Sequence, residues 1–106
     1  MSNGQIVRGA NQENAAFPSG LCAERTAMFS ASAKYPDKDM CSIAIAGGVF
    51  GKMALEPVTP CGACRQVMAQ YQTKAGKPMS VIMIGAKRIW KFDKVDDILP
   101  LIFDSI

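Results

Sequence analysis

Apolar residues along the chain form two short continuous runs and two longer stretches with helical spacing. The runs Ser42 to Ala46 and Met79 to Ile84 are bounded by glycine, proline or polar residues, which is typical of buried strands. From Cys22 to about Lys34 and from Cys61 to about Thr73, apolar residues recur about one turn apart. The pattern predicts helices and buried strands that alternate along the chain.

The first predicted helix has a stripe of small residues on one face. Ala23, Ala27 and Ala31 recur every fourth residue and therefore lie one above the other. Side chains this small permit a close approach between the helix and a sheet. Tyr35 and Pro36 end the helix, because the residue before a proline is biased away from helical geometry.

Weaker signals complete the predicted order of elements. Gln5 to Gly9 and Arg88 to Phe92 are expected to be short strands, and Val95 to Leu99 a short helix ended by Pro100. Segments 11–21 and 51–59, with their glycines and prolines, are expected to be loops. The alternation predicts an α/β fold with a central sheet, in a single domain spanning residues 1–106.

The first predicted strand is entered through Asn3-Gly4, a dipeptide typical of tight hairpin turns. A hairpin needs a strand before its turn, but only Met1 and Ser2 precede this one. We therefore expect that a first strand is missing from the start of this chain.

Composition and charge exclude several classes of function. The net charge is only +3 and the twelve Lys and Arg residues are scattered, so a nucleic acid or membrane partner is not expected. No apolar stretch approaches the roughly 20 residues that a bilayer span needs, and no signal peptide is recognisable. Four cysteines without a secretory signal indicate a cytoplasmic protein that uses thiols for metal binding or catalysis.

The chain contains no histidine, which removes the commonest general base and the commonest zinc ligand. Any transition-metal site must therefore be built on thiolates. Cys61 and Cys64 form a C-x-x-C motif at the start of a predicted helix, where unpaired N–H groups stabilise thiolates. This motif alone fits a zinc site, a redox dithiol or a pair of buried thiols.

Cys22 favours the metal site, because it also begins a predicted helix. Three thiolates give zinc three protein ligands and an open fourth position, which is the pattern of a catalytic site. Glu24 is the carboxylate close in sequence to a ligand and the natural proton carrier, although it could simply complement the helix dipole. Arg25 can offset the negative charge of the thiolates, or it can lie on a solvated helix face. Cys41 has no ligand-like spacing and is expected in the core.

Four motifs in matching order resemble the homotetrameric, three-cysteine class of cytidine deaminases. They cover nearly the whole chain and are Asn11-Gln12-Glu13-Asn14-Ala15-Ala16, Cys22-Ala23-Glu24-Arg25-Thr26-Ala27, Pro60-Cys61-Gly62-Ala63-Cys64-Arg65-Gln66, and Ile98-Leu99-Pro100 with Phe103. The resemblance implies hydrolytic deamination of cytidine and 2′-deoxycytidine in pyrimidine salvage. It also implies a three-layer fold, with a central mixed sheet flanked by helices, from which the first helix and strand are missing.

The resemblance further implies a Zn²⁺ ion and its ligands. Cys22, Cys61 and Cys64 would hold the ion, with water or hydroxide at the fourth position. Glu24 would move the protons of the reaction, as the corresponding glutamate does in zinc deaminases. Arg25 would donate hydrogen bonds to the thiolates.

The nucleoside contacts are also implied by the resemblance. Asn11 and Glu13 would bind the ribose hydroxyls, and the backbone N–H of Ala23 would contact the base. Phe103 would pack on the base from a neighbouring subunit, so the homotetramer would share its active sites between chains. Phe17 replaces a tyrosine common in the family, so the contact of that hydroxyl cannot be carried over.

Other functions remain open at this point. A deaminase of another cytosine-bearing small molecule, such as the blasticidin type, is the nearest alternative, and an inactive zinc-binding fragment of the fold is another. An enzyme that edits polynucleotides has no basic patch to support it. A thiol oxidoreductase that uses Cys61 and Cys64 would leave Cys22 and Glu24 without a role.

Overall fold

Helices and strands alternate along the part of the chain that the structure, a computed structural model, describes: residues 1–11, 22–49 and 52–103. The elements are α1 (Ala23–Lys34), β1 (Ser42–Ala46), β2 (Gly48–Val49), β3 (Lys52–Met53), α2 (Gly62–Ala75), β4 (Ser80–Ile84), β5 (Ile89–Phe92) and a 3₁₀ turn (Val95–Asp97). The two predicted helices and the strands β1, β4 and β5 are confirmed to within about two residues at each end.

The sheet is mixed, as expected from the resemblance. In the described residues its strand order is β1-β4-β5, with β1 parallel to β4 and β5 antiparallel to β4. The register pairs Ser42 with Ser80 and Ala46 with Ile84. Since α2 lies between β1 and β4 in sequence, it forms the crossover that a parallel pair requires.

One face of the sheet carries the core. Val81 and Met83 of β4 are buried, and Ile45 of β1, which pairs with Met83, is buried beside them. Side chains of both helices complete this cluster, including Met28 from α1 and Met68 from α2. Of the eleven hydrophobic residues that are buried in the described part of the chain, five are methionines, whose flexible side chains fill irregular gaps. Both helices are thereby fixed against the same face of the sheet.

The prediction of a strand at Gln5 to Gly9 is wrong. The segment is present, but it belongs to neither sheet of the described chain. The turn before it does form: Gly4 has φ 81°, which glycine adopts without strain, and its N–H donates to the Met1 carbonyl at 3.1 Å. A strand needs a neighbour for its hydrogen bonds, and no described strand lies beside this segment.

Two further local features differ from the sequence-based expectation. Segment 51–59 was expected to be a loop throughout, but Lys52–Met53 pairs with Gly48–Val49 as a two-residue hairpin. The helix predicted from Val95 to Leu99 is only the 3₁₀ turn Val95–Asp97. Segments this short have no periodicity that a sequence pattern can detect. None of the described helices has the length and apolar character needed to cross a membrane.

The methionine core generates a prediction about stability. Met83→Ala removes a side chain that is 1% exposed and should lower the free energy of unfolding by about 2–5 kcal/mol, through lost burial and a cavity. Met53→Ala changes a methionine that is 49% exposed and should cost less than about 0.5 kcal/mol. Urea unfolding at a fixed zinc concentration measures both. Equal losses in the two variants would contradict this description of the core.

Candidate metal centre and active site

The N-termini of the two helices bring three cysteines together. Cys22 is the N-cap residue of α1, Cys61 is the N-cap residue of α2, and Cys64 is the third residue of α2. Their Sγ atoms all lie within 4.8 Å of one another. The Sγ of Cys61 is 3.7 Å from that of Cys22 and 3.3 Å from that of Cys64.

These separations fit a zinc ion. Three sulfurs bound tetrahedrally at about 2.3 Å from one ion lie about 3.8 Å apart, close to the spacing observed. Helix N-termini also favour thiolates, because their free N–H groups and partial positive charge stabilise the anion. The three residues differ in their exposure to solvent: Cys64 is fully buried, Cys22 is half-buried and Cys61 is exposed. The cluster is therefore anchored in the core and accessible from one side.

The pKa values of Cys64 and Cys61 are shifted in opposite directions from their ordinary value. Burial raises the pKa of Cys64 far above its usual range, and the neighbouring thiol of Cys61 raises it further. For Cys61, partial burial also acts to raise the pKa, but hydrogen bonds outweigh it, chiefly the one from the Cys64 backbone N–H at 3.4 Å. The pKa of Cys61 is consequently lowered. In the metal-free chain, Cys61 is thus a thiolate more readily than Cys64.

Arg25 places a positive charge beside the cluster. Its Nη2 donates to the Cys22 sulfur at 3.6 Å. Hydrogen bonds to the Cys22 and Cys64 sulfurs raise the pKa of Arg25 above its ordinary value. A permanently charged guanidinium offsets part of the negative charge that three thiolates accumulate.

Glu24 lies next to the buried thiol. Its Oε2 is 3.4 Å from the Cys64 sulfur, which donates to it, and the side chain is half-buried. Spacing alone did not establish this contact, because residues two apart on a helix point in different directions. The contact forms because the second helix brings Cys64 to the start of α1. A carboxylate at this position can exchange protons with a group held at the cluster.

Asn11 and Ala23, two expected substrate contacts, are hydrogen-bonded to each other. The Oδ1 of Asn11 accepts from the Ala23 backbone N–H at 2.8 Å and so satisfies one of the unpaired donors of α1. The Cys22 side chain makes no such capping bond. A base can use the Ala23 N–H only if Asn11 releases it. Glu13, the other expected ribose contact, and Phe17 lie outside the described residues.

Phe103 is held by its backbone while its side chain is exposed. The Nε2 of Gln66 donates to the Phe103 carbonyl at 2.6 Å, and the Phe103 N–H donates to Gln66 Oε1 at 3.3 Å. The Phe103 side chain is 63% exposed. Arg65 adds hydrogen bonds to the carbonyls of Pro60, at 2.9 Å, and Ile98, at 3.0 Å.

Arg65 and Gln66 were not assigned a role from the sequence. Both directly follow Cys64 in the motif that begins at Pro60, and their place in this motif was the signal that could have identified them. They join the start of α2, which carries two of the thiols, to the segment that ends in Phe103. Cys41, in contrast, lies outside the cluster: it is half-buried, and its sulfur is 4.0 Å from the Asp39 carbonyl.

Comparison with known proteins identifies the family. The sequence model of the cytidine and deoxycytidylate deaminase zinc-binding region matches residues 1–77 of the 106. The chain belongs to this family. Zinc is accordingly its cofactor, and the three clustered thiols are a donor set that fits the ion.

Relatives and a solved structure agree with this assignment. The cytidine deaminase of Halalkalibacterium halodurans is 46% identical over 70 residues, covering 66% of this chain and 48% of the relative. The cytidine deaminase of Sporosarcina psychrophila is 41% identical over 69 residues, covering 65% and 46%. The chain thus spans about half the length of these relatives.

The crystal structure of cytidine deaminase from Burkholderia pseudomallei has a similar fold. It aligns with 96% of this chain and 75% of its own, with a TM-score of 0.74 and 36% sequence identity. The cytidine deaminase-like α/β fold expected from the resemblance is therefore confirmed.

Zinc binding should depend on the cluster and not on Cys41. Wild-type chain should hold about one zinc ion. Cys64→Ser should weaken binding by more than about 100-fold, since even changes to groups that only orient ligands cost 10–100-fold. Competition with a chromophoric chelator measures the affinity. Cys41→Ser is the matched control and should bind like wild type; weakening equal to that of Cys64→Ser would indicate a closed four-thiolate site.

The opposite pKa directions predict selective alkylation of the metal-free chain. Iodoacetamide reacts with thiolates, so near neutral pH it should label exposed Cys61 well before buried Cys64. Peptide mapping by mass spectrometry at several times gives the two rates, with circular dichroism to confirm that the helices persist. Equal rates at both cysteines in the folded chain would contradict the geometry described.

Proposed function

We propose that this chain forms the catalytic part of an enzyme that hydrolyses cytidine and 2′-deoxycytidine to uridine and 2′-deoxyuridine, as in pyrimidine salvage. The observation that carries the proposal is the contact between Glu24 and Cys64 at 3.4 Å, inside a cluster of three thiols at two helix N-termini. A proton-carrying group and a metal-binding group lie side by side there. That combination is what hydrolytic deamination requires.

Cys22, Cys61 and Cys64 are the residues that would hold zinc. When bound, zinc supplies Lewis acidity and makes water a nucleophile near neutral pH. Arg25 supports this role by reducing the net negative charge that the thiolates place on the site, a charge that weakens Lewis acidity.

Glu24 would carry the protons. Its carboxylate takes one proton from the attacking water and gives it to ring N3 of the cytosine, as in zinc deaminases generally. It then takes the second water proton and passes it to the departing amino group. The C4–N bond breaks, a C4=O bond replaces it, and the products are uridine and ammonia. The half-buried position of Glu24 removes it partly from water, which strengthens its interaction with a bound base.

Recognition of the sugar would fall to Asn11 and Glu13, and recognition of the base to the Ala23 N–H. The Asn11 oxygen accepts from the Ala23 N–H in the structure and would have to release it before the base can use that N–H. The amide group of Asn11 would then be free to reach a ribose oxygen. Substrate binding and the capping of α1 are therefore coupled through one side chain.

Assembly into a homotetramer with shared active sites would use the exposed apolar residues of this chain. Phe103 is 63% exposed, Leu101 is 92% exposed and Leu55 is 69% exposed. Burying such side chains between subunits would remove apolar surface from water, which favours association. The four free cysteines suit the reducing cytoplasm, which is the location that we propose.

Glu24→Gln tests the proposed function directly. The variant keeps the size of the side chain but cannot accept a proton, so turnover should fall by at least about 100-fold. Ultraviolet absorbance follows the conversion of cytidine, and zinc content is measured on the same sample. Glu56→Gln is the matched control. This variant should retain full activity, because Glu56 lies in the exposed ion pair with Arg88.

The outcomes separate the alternatives. Undiminished turnover by Glu24→Gln with zinc bound would refute the role of Glu24. A zinc-loaded wild-type chain without turnover would indicate a zinc-binding piece of the fold that does not catalyse. A panel containing cytidine, 2′-deoxycytidine and blasticidin S distinguishes a nucleoside deaminase from one that acts on another cytosine-bearing molecule.

A further inference from the structure

Two neighbouring side chains of α2 hold the stretch of chain that follows the 3₁₀ turn, residues 98–103, which we call the C-terminal segment. Arg65 and Gln66 lie near the start of this helix. The Nη1 of Arg65 donates to the Ile98 carbonyl at 3.0 Å. Gln66 binds the Phe103 backbone twice, because its Nε2 donates to the carbonyl and its Oε1 accepts from the N–H. The C-terminal segment is therefore tied to α2 near both of its ends.

Few other hydrogen bonds hold the C-terminal segment. In the part of the chain that the structure describes, the hydrogen bonds to residues 100–103 are the two from Gln66. The N–H groups of Ile98 and Leu99 donate to the Val95 carbonyl, so these bonds only continue the preceding turn. Ile98 and Leu99 are also partly buried against the core, but apolar contact is non-directional. The placement of the end of the segment thus depends on Gln66.

The start of α2 that holds this segment also carries two of the clustered thiols. Cys61 is its N-cap residue and Cys64 its third residue. Arg65 reaches back across this turn: its Nε donates to the Pro60 carbonyl at 2.9 Å, and its backbone N–H donates to the Cys61 carbonyl at 3.0 Å. Arg65 therefore joins the backbone on both sides of the first thiol to the C-terminal segment.

Zinc held at the cluster would restrict the motion of this helix start. Free thiols can rotate between side-chain rotamers, whereas thiolates bound to one ion must keep a fixed separation. Fixing Cys61 and Cys64 in this way also fixes the backbone carbonyls to which Arg65 is bonded. When one ligand has already ordered a set of contacts, ordering the groups attached to them costs less free energy. The C-terminal segment should therefore be more firmly held when zinc is present.

We propose that Arg65 and Gln66 couple zinc binding at the cysteine cluster to the position of the C-terminal segment. The zinc-loaded chain keeps the segment in one arrangement, with the exposed side chains of Leu101 and Phe103 held in place. The metal-free chain releases it. The coupling does not depend on the enzymatic function, because it concerns zinc binding and the backbone alone.

Amide hydrogen exchange followed by NMR tests the coupling in the full wild-type chain, first loaded with zinc and then after chelation. Because couplings between two sites in a protein are typically about 5–150-fold, removal of zinc should speed exchange at the Phe103 N–H by at least about 5-fold. Val81 in the buried strand β4 reports on the rest of the fold. Its exchange should change by less than about 2-fold, since local openings leave the core closed.

Gln66→Met tests the residue that makes the connection. This variant keeps the length of the side chain but removes both bonds to the Phe103 backbone. Coupling between two sites is reciprocal, so the variant should bind zinc more weakly by about the factor by which zinc slows Phe103 exchange in wild type. Its own exchange at Phe103 should no longer respond to zinc. Competition with a chromophoric chelator measures the affinity, and circular dichroism confirms the fold.

Two controls separate this connection from other effects of substitution. Gln70→Met makes the same change one turn further along α2, at an exposed residue, and should bind zinc like wild type. Phe103→Ala removes the ring but keeps the backbone groups that Gln66 binds, so its zinc affinity should also be unchanged. Equal weakening by Gln66→Met and either control would overturn the assignment to Gln66.

The wild-type chain alone can also overturn the proposal, even where a variant does not fold. Phe103 exchange that is the same with and without zinc would show that the cluster and the segment are independent. An equal increase at Phe103 and Val81 after chelation would show that zinc supports the whole fold and that no specific link to the segment exists.

Discussion

The site depends on the packing that brings two helix N-termini to one point. Cys22 and Cys61 occupy the N-cap positions of α1 and α2, and the buried Cys64 joins the cysteine cluster to the core. The methionine-rich cluster holds both helices on the Val81 and Met83 face of the sheet. A shift of either helix would separate the thiols and break the contact of Glu24 with Cys64. The geometry of the site therefore depends on the packing of the core.

The segments on either side of the cysteine cluster are held by different contacts. Beyond α2, Arg65 and Gln66 tie the segment from Ile98 to Phe103 to the helix that carries two thiols. Before α1, Asn11 caps the helix, and the chain leading to it borders a cleft of about 600 Å³ beside β1. The two helices that carry the clustered thiols are thus held by hydrogen bonds from the segments on either side of them.

Sequence reasoning succeeded where the signal is local. β1 was predicted with its observed bounds because a buried strand is a continuous apolar run, and the cysteine cluster was anticipated from helix starts and spacing. Sequence reasoning failed where contacts between distant segments of the chain determine the structure. Gln5 to Gly9 has strand-like residues, but it forms no strand because no described strand lies beside it. The contact of Glu24 with Cys64 joins residues 40 apart, and only the packing of α1 against α2 creates it.

We propose that Cys22, Cys61 and Cys64 together hold zinc and leave one coordination position open. X-ray absorption spectroscopy at the zinc edge measures the ligands directly in the wild-type chain. We expect three sulfur neighbours at about 2.3 Å and one oxygen or nitrogen neighbour at about 2.0–2.2 Å. Four sulfur neighbours would contradict this proposal, because Cys41 would have to leave its position beside Asp39. Fewer than three sulfur neighbours would also contradict it.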